Sequence, residues 1–460
     1  MVKNGEKRPL RKTPIPLLCV LLLLLGPLAP QRAAAQQLQL IRDAEIENTI
    51  RIYATPLFQA AGLSPQGIKL YLVKDRALNA FVAGGLNMFI NTGLLIETKD
   101  PGEVIGVIAH ETGHIAGGHL ARSGPVMEQT MATLIATYLL SIGAAIATGE
   151  GAAGAAVLSG GQDLALRNLL QYTRTQENSA DQAAVTLLKA TQQSPKGLLE
   201  FMESLSGQEV LLTNNQDPYL RTHPLTQDRI DFLRHSMSQS PYANKPVDPE
   251  LVRLHDRMRA KLIGFLNPLS EVLRSYPESD NSIPARYARA IAYYRVPDLD
   301  KGLTEIDALL QEKPADPYFH ELKGQMLLEH GRVAESVPEY EAAVQALPEE
   351  SQIRQALAKA QIALDSRDMD RAALENLTVT LAEEPNNAGA WRLAAIAHGR
   401  LGDEGMTALA LAESALARGK YEEARERAEH ATGLLAENSA SWLRAQDLRN
   451  EAERRLKKED

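Results

Sequence analysis

The sequence predicts a mainly α chain in two parts: an α+β domain with a small antiparallel sheet, followed by an all-α solenoid of helical repeats. Three observations carry this expectation. Aromatic residues make up only 5% of the 460 and alanine-rich runs fill the later part, which favours packed helices over an all-β fold. Short β-like runs are confined to residues 69–91. After residue 283, prolines and glycines recur at the spacing of a helix-turn-helix repeat. The length exceeds one ordinary core, so more than one domain is expected, and 23% charged against 44% hydrophobic residues fits a folded chain.

Residues 1–35 read as a cleaved secretory signal peptide. Lys3, Lys7, Arg8, Arg11 and Lys12 form a basic head, an apolar run follows from Leu17 to Leu25, Gly26-Pro27 breaks it, and Ala33-Ala34-Ala35 supplies small residues for cleavage. An N-terminal membrane anchor is the alternative, but the run is well short of the ~20 apolar residues a spanning helix needs. The single cysteine, Cys19, sits early in the apolar run behind Leu18, a poor position for lipidation. Cleavage near Ala35 leaves a mature chain with no disulfide and no thiol chemistry. The segment holds six basic residues and one acidic, a net +5, so its removal takes the formal charge from −9 to −14. So acidic a chain is a poor partner for nucleic acid or an anionic membrane surface.

The first domain is expected over 38–270. Residues 38–62 place Leu38, Leu40, Ile41, Ile46, Ile50 and Tyr53 at helical spacing. Lys69–Val73, Ala80–Ala83 (ending at Gly84-Gly85) and Met88–Asn91 read as the strands of a small antiparallel sheet. A helix then starts sharply: Asp100 caps it, Pro101 suits the first turn, and Glu103 stands at the capping-box position. Its run from Val104 to Ala109 is apolar almost all round, so it should be buried. Residues 128–160 are rich in Ala, Gly and Leu, with no charge between Glu128 and Glu150. Met131–Thr148 is marginal in length for a span, and the segment reads as a buried or lid-like helical hairpin, with peripheral membrane contact or a true span as alternatives. A long helix is expected over 163–191, ending before Ser194-Pro195, and 236–248 reads as a loop.

A break at 276–281 leads into the second domain, 283–460. Pro314 and Pro348 lie 34 residues apart, each closing an apolar helix, and Pro385 continues the series with a three-residue insertion. Gly324, Gly331 and Ala343, then Trp391, Gly402 and Ala408, fall near the small and aromatic positions of the unit, and Gly419–Ala424 reads as an inter-helix turn. Period and pattern resemble tetratricopeptide repeats, with at least four units within 284–456. The recurring turn residues argue against a coiled coil.

The chemistry is concentrated in His110-Glu111-Thr112-Gly113-His114. Two histidines at i and i+4 share one helical face and can converge on one Zn²⁺, while Glu111 between them can accept a proton from a water there. A catalytic zinc site needs a third protein ligand and an open position. Glu177, on the long helix, is the best candidate, with Asp181 one turn further on placed to accept the second ring N–H of a ligating imidazole. His119 competes, although its spacing of five from His114 points it away from the shared face.

His110-Glu111-x-Gly113-His114 followed by Glu177-x-x-Ala180-Asp181 resembles the zinc peptidases that include the CAAX prenyl endopeptidases and the heat-shock membrane protease HtpX. Ile41–Glu47, Asn79-Ala80-Phe81 with Gly84-Gly85, and Thr222-His223-Pro224 with Arg229 add to the likeness. The resemblance implies a zincin-like metallopeptidase domain with one zinc on His110, His114 and Glu177, Glu111 as general base, and Asp181 behind the ligands. It also implies that His223 gates the site and that an extended substrate pairs with an edge strand, for which Met88, Phe89, Ile90 and Asn91 are the candidates. Joined to a signal peptide and repeats, it implies a periplasmic endopeptidase that degrades misassembled outer-membrane proteins and assists others as a chaperone. The repeats would then dock on the outer-membrane β-barrel assembly machinery. Relatives with repeats can carry a disulfide there; this chain, with Cys19 alone, has none.

Overall fold

Asp43 decides where the first helix begins. Its extended backbone and its carboxylate, which accepts from the amide of Ile46, start helix α1 at Ala44–Ala60 and leave Leu40–Ile41 free as strand β1. The periodicity over 38–62 therefore merges a strand with a helix. The computed structural model describes residues 39–83, 86–119, 173–206, 219 and 223–459. The signal-peptide reading of 1–35 with Cys19, the hairpin or membrane reading of 128–160, Gly84-Gly85, Thr222 and the expected start of the long helix at 163 lie outside them. Among the described residues, no helix is long and apolar enough to cross a membrane.

Strands β2 (Lys69–Val73), β3 (Ala80–Ala83) and β4 (Asn87–Asn91) join β1 in a sheet of order β1-β2-β4-β3. The pairs β1–β2 and β4–β3 are antiparallel, but β2 and β4 run parallel. The sheet is thus mixed, where an antiparallel one was expected. The physical reason is an insertion: residues 74–79 carry the chain far enough from β2 that β4, returning from its short connection to β3, slots between the two in the same direction as β2. Asp75 fixes this crossing, its carbonyl accepting from the Gly93 amide (2.8 Å) and the Thr92 hydroxyl (2.9 Å). Met88–Asn91 is consequently interior, paired on both sides, and is not the edge strand expected for substrate; β3 is the edge next to it.

Met88 and Ile90 point into a core shared with Ile46, Ile50 and Leu57 of α1, and with Val104 and Ile108 of α3 (Pro101–Ala116). As the capping residues require, Asp100 accepts from the Gly102 amide at 2.7 Å. Glu103, however, reaches back to the Lys99 amide rather than to that of the cap. Between β4 and α3 lies the short helix α2 (Thr92–Glu97). A helix over 173–190 (α4), α5 (Lys196–Ser206), α6 (Gln227–Gln239) and α7 (Pro249–Leu266) complete this core.

After α8 (Leu269–Ser275), antiparallel helices follow in succession: α9 (Ile283–Arg295), α10 (Leu299–Glu312), α11 (Pro317–Glu329), α12 (Val333–Ala346), α13 (Ser351–Ala363), α14 (Arg367–Glu383), α15 (Ala388–Leu401), α16 (Glu404–Ala417), α17 (Tyr421–Leu434) and α18 (Ala440–Glu459). The first helices of successive pairs begin 34 residues apart at Ile283, Pro317 and Ser351. The next begins at Ala388 because α14 has 17 residues where α10 and α12 have 14, which locates the three-residue insertion. These helices and the sheet-bearing core pack directly on each other. Tyr287 donates to Glu45, Arg257 pairs with Glu45 and Asp316, Lys261 pairs with Asp43, and Asn48 donates to Glu350.

Candidate metal centre

The site is built where α3 crosses α4. A Cβ on Gly113 would lie 2.8 Å from the carbonyl oxygen of Ala180 and 3.1 Å from its Cα, so only glycine lets the two backbones approach this closely. His110 and His114, one turn apart on α3, thereby face Glu177 and Asp181, one turn apart on α4.

The four side chains interlock. The Nε2 atoms of His110 and His114 are 3.1 Å apart, and lie 3.3 Å and 3.4 Å from the two oxygens of Glu177. On its other side, His110 meets Asp181 through Nδ1, at 2.9 Å. Arg229 of α6 clamps both acids, with Nε and Nη2 donating to Asp181 at 2.6 and 2.9 Å and Nη1 lying 3.1 Å from Glu177. Its Nη1 also donates to the carbonyl of Pro224, which ties the loop after His223 to the same guanidinium. His223 enters from that loop, its Nδ1 3.2 Å from Glu177 and its Nε2 3.5 Å from Glu111, and its ring stacks on Tyr219 at 4.6 Å between centroids.

The cluster is closed off from the surface: His110, Glu111 and Asp181 are fully buried, and Glu177, His114, His223 and Arg229 nearly so. Burial alone would raise the Glu177 carboxyl, but hydrogen bonds from His110, His114 and His223 outweigh it and hold the group far below the usual carboxylate range. Asp181 is likewise held low, against burial, by Arg229 and His110. Burial lowers His110, yet its bonds to Asp181 and Glu177 win and raise it to about 10. Three carboxylates (Glu111, Glu177, Asp181) are thus packed with three imidazoles (His110, His114, His223) around one guanidinium, Arg229. So many carboxylate and imidazole donors gathered out of reach of solvent suit a cation. Donor atoms of His110, His114, Glu177 and His223 lie within 4.8 Å of one another, an N/O set that suits a divalent transition metal.

Every residue expected at the centre lies in this cluster, and Met88–Asn91 lie in the adjacent sheet. Three residues deserve more weight than sequence reasoning assigned them. Arg229 entered only as part of a motif, although it holds both acids. Tyr219 carried no signal. His119, expected to point away, has its Nδ1 3.0 Å from that of His114.

A family model described as peptidase family M48 matches residues 41–237, and one described as a tetratricopeptide repeat matches 287–351. Among curated proteins, the chain is 25% identical to the beta-barrel assembly-enhancing protease of Yersinia pestis, over 87% of this chain and 80% of that one. It is 22% identical to the protein of that name in Escherichia coli, over 65% of this chain but 61% of that one. It is also 30% identical to the E. coli metalloprotease LoiP, over 43% of this chain and 72% of LoiP. Carrying this match together with a buried cluster of metal-ligand type on its His-Glu-x-x-His helix, the chain belongs to peptidase family M48 and is a metallopeptidase with C-terminal tetratricopeptide repeats.

Proposed function

We propose that the chain is an exported, zinc-dependent endopeptidase that holds one Zn²⁺ on His110, His114 and Glu177. The observation that carries this is the convergence of those donors in a buried pocket. Zinc held there supplies a Lewis acid that makes a water acidic near neutral pH and polarises a carbonyl. Glu111 then takes the proton of the attacking water and returns it to the leaving amine. Asp181, fixed by Arg229, keeps the proton of His110 on Nδ1 so that Nε2 faces the centre. His223 stands between Glu111 and Glu177, where the reacting groups must meet, and acts as the gate; once displaced it is placed to stabilise the oxyanion. The edge strand β3, rather than β4, is the rail on which an extended peptide pairs.

The beta-barrel assembly-enhancing proteases similar to this chain support a role in outer-membrane protein quality control: degrading misassembled proteins in the periplasm and assisting others as a chaperone. The repeats would supply the docking surface for the assembly machinery. A cleft of about 1480 Å³ between α1, β2 and the repeat helices offers room for a client segment. The contacts of His223 favour a resting state in which the peptidase is shut and the repeats act as adaptor. The test is elemental analysis of the purified mature chain beside Glu177→Ala. One zinc per chain in the wild type and loss in the variant are expected, and an unchanged zinc content in Glu177→Ala would remove that residue from the metal.

A further inference from the structure

The two histidines of the zinc helix are supported from opposite directions. His110 has Asp181 behind it. Behind His114 stands another imidazole, His119, with its Nδ1 3.0 Å from the Nδ1 of His114 and its side chain buried. The approach depends on how α3 ends. The helix stops at Ala116, Gly117 closes it, and Gly118 takes φ +62°, the left-handed conformation that turns the chain back on itself. That turn cancels the outward direction a spacing of five would give. Gly117 also makes the space: a Cβ there would lie 2.5 Å from Nε2 and 2.9 Å from Cδ2 and Cε1 of His119, so any larger residue would displace the ring. The side-chain amide of Gln176 donates to the His119 carbonyl at 3.2 Å, which ties the turn to α4, the helix that carries Glu177.

We propose that His119 is a positioning residue for the metal: it accepts the Nδ1 proton of His114 on its own Nδ1 and so fixes His114 in the tautomer whose Nε2 lone pair faces the centre. Two imidazole nitrogens at this distance share one proton, and a ring that ligates through Nε2 carries its proton on Nδ1. His119 therefore holds its own proton on Nε2. The proposal rests on the reading of His114 as a ligand. It makes Gly117, Gly118 and His119 parts of the site, although none of them touches the metal.

The experiment is zinc affinity by chelator competition on the purified chain, with folding followed by circular dichroism. His119→Phe keeps a ring without an acceptor and should weaken zinc binding about 10- to 100-fold. His119→Asn puts an amide oxygen where Nδ1 stands and should recover most of that loss. Gly117→Ala leaves His119 in place but pushes its ring away, and should weaken binding in the same direction. Wild-type affinity in a folded His119→Phe would overturn the inference, because packing alone would then suffice. If His119→Phe does not fold, Asn and Gly117→Ala decide: weak binding in Gly117→Ala beside recovery in Asn supports the proton acceptance, and weak binding in both refutes it. His114→Ala separates this from the underlying reading. Full zinc content there would remove the ligand assignment itself, whereas loss there beside wild-type affinity in His119→Phe would sink the role of His119 alone.

Discussion

Two glutamates in this molecule are buried to the same depth and treated in opposite ways. Glu45, on α1, receives the Tyr287 hydroxyl at 2.7 Å, Arg257 at 2.8 Å and Lys261 at 3.3 Å. Burial would raise its carboxyl, but Arg257 and Lys261 outweigh burial and hold it below the usual range. Glu111, on α3, is fully buried and neither oxygen has a hydrogen-bond donor among the described residues; the closest ring nitrogen is that of His223 at 3.5 Å. A buried acid with a single long contact contributes little to the framework, and its place beside the donor cluster points to use. Glu45, held by two cations and a hydroxyl, is part of the framework; Glu111, with only the His223 ring nearby at 3.5 Å among the described residues, is the one left for chemistry.

The comparison breaks most visibly at Glu111. Glu111→Gln keeps the shape and removes the base, and should lower the initial rate of casein hydrolysis about 10²- to 10⁴-fold while zinc content stays at the wild-type value. Its thermal midpoint should hold or rise, because Gln keeps the packing and only the 3.5 Å contact with His223 is altered. Glu45→Gln should do the reverse. Losing one member of a buried ionic cluster costs about 3–5 kcal/mol, and the lower end is expected because Arg257 keeps Asp316 and Lys261 keeps Asp43. Urea unfolding measures it, and an unaltered zinc content would show that the metal centre is untouched. The sign with pH follows from the lowered carboxyl: its contribution is present above the usual carboxylate range and is lost as pH falls toward the depressed value, so Glu45→Gln should flatten the acid limb of stability.

How much of this was legible beforehand depended on the range of the interaction. Local signals were sufficient for β2 and β3, for the Asp100 cap with Pro101, and for the 34-residue register of the repeats, since each is decided within a few residues of itself. The gathering of His110, His114 and Glu177 was legible because helical spacing and a motif both pointed to it. Sheet order was not, because the place of β4 between β2 and β3 depends on the path of residues 74–79, which carry no pairing signal. Nor was Glu45, which reads as a solvated acid in the first turn of a helix; its partners come 212 to 242 positions later. His119 was misjudged because helical spacing was extended past Ala116, where Gly117-Gly118 had already ended the helix.

A smaller effect sharpens the comparison from the side of Glu111. His223 approaches that carboxylate to 3.5 Å, and its ring is held by Tyr219 and Glu177. If this arrangement is the shut state, His223→Ala should raise casein hydrolysis about tenfold, the gain available when the open form is otherwise populated at about 10%. A rate that falls instead, with the metal retained, would mean that the role of His223 at the oxyanion outweighs its role as gate.

The smallest effect lies at the rim of the contact whose centre is Glu45. Arg42, just before α1, reaches Glu384 of the repeats with a two-pronged pair at 2.9 and 3.2 Å and also bonds Glu47. Geometry alone would rank this above the single-pronged pairs of Lys261. Exposure reverses the ranking: the Arg42 side chain is 52% exposed, whereas that of Lys261 is 3% exposed. Water and salt already screen the rim pair, so its net contribution is about 0.2–1 kcal/mol. Glu384 moreover keeps donors from Ser351 and Asn387 when Arg42 is removed, so no bare charge is left behind. Arg42→Ala should therefore shift urea unfolding by less than about 1 kcal/mol, and the shift should shrink further at high salt. A loss as large as that of Glu45→Gln would mean that the contact between α1 and the repeats is carried by its edge, and that burial is the wrong measure of which charges hold these two regions together.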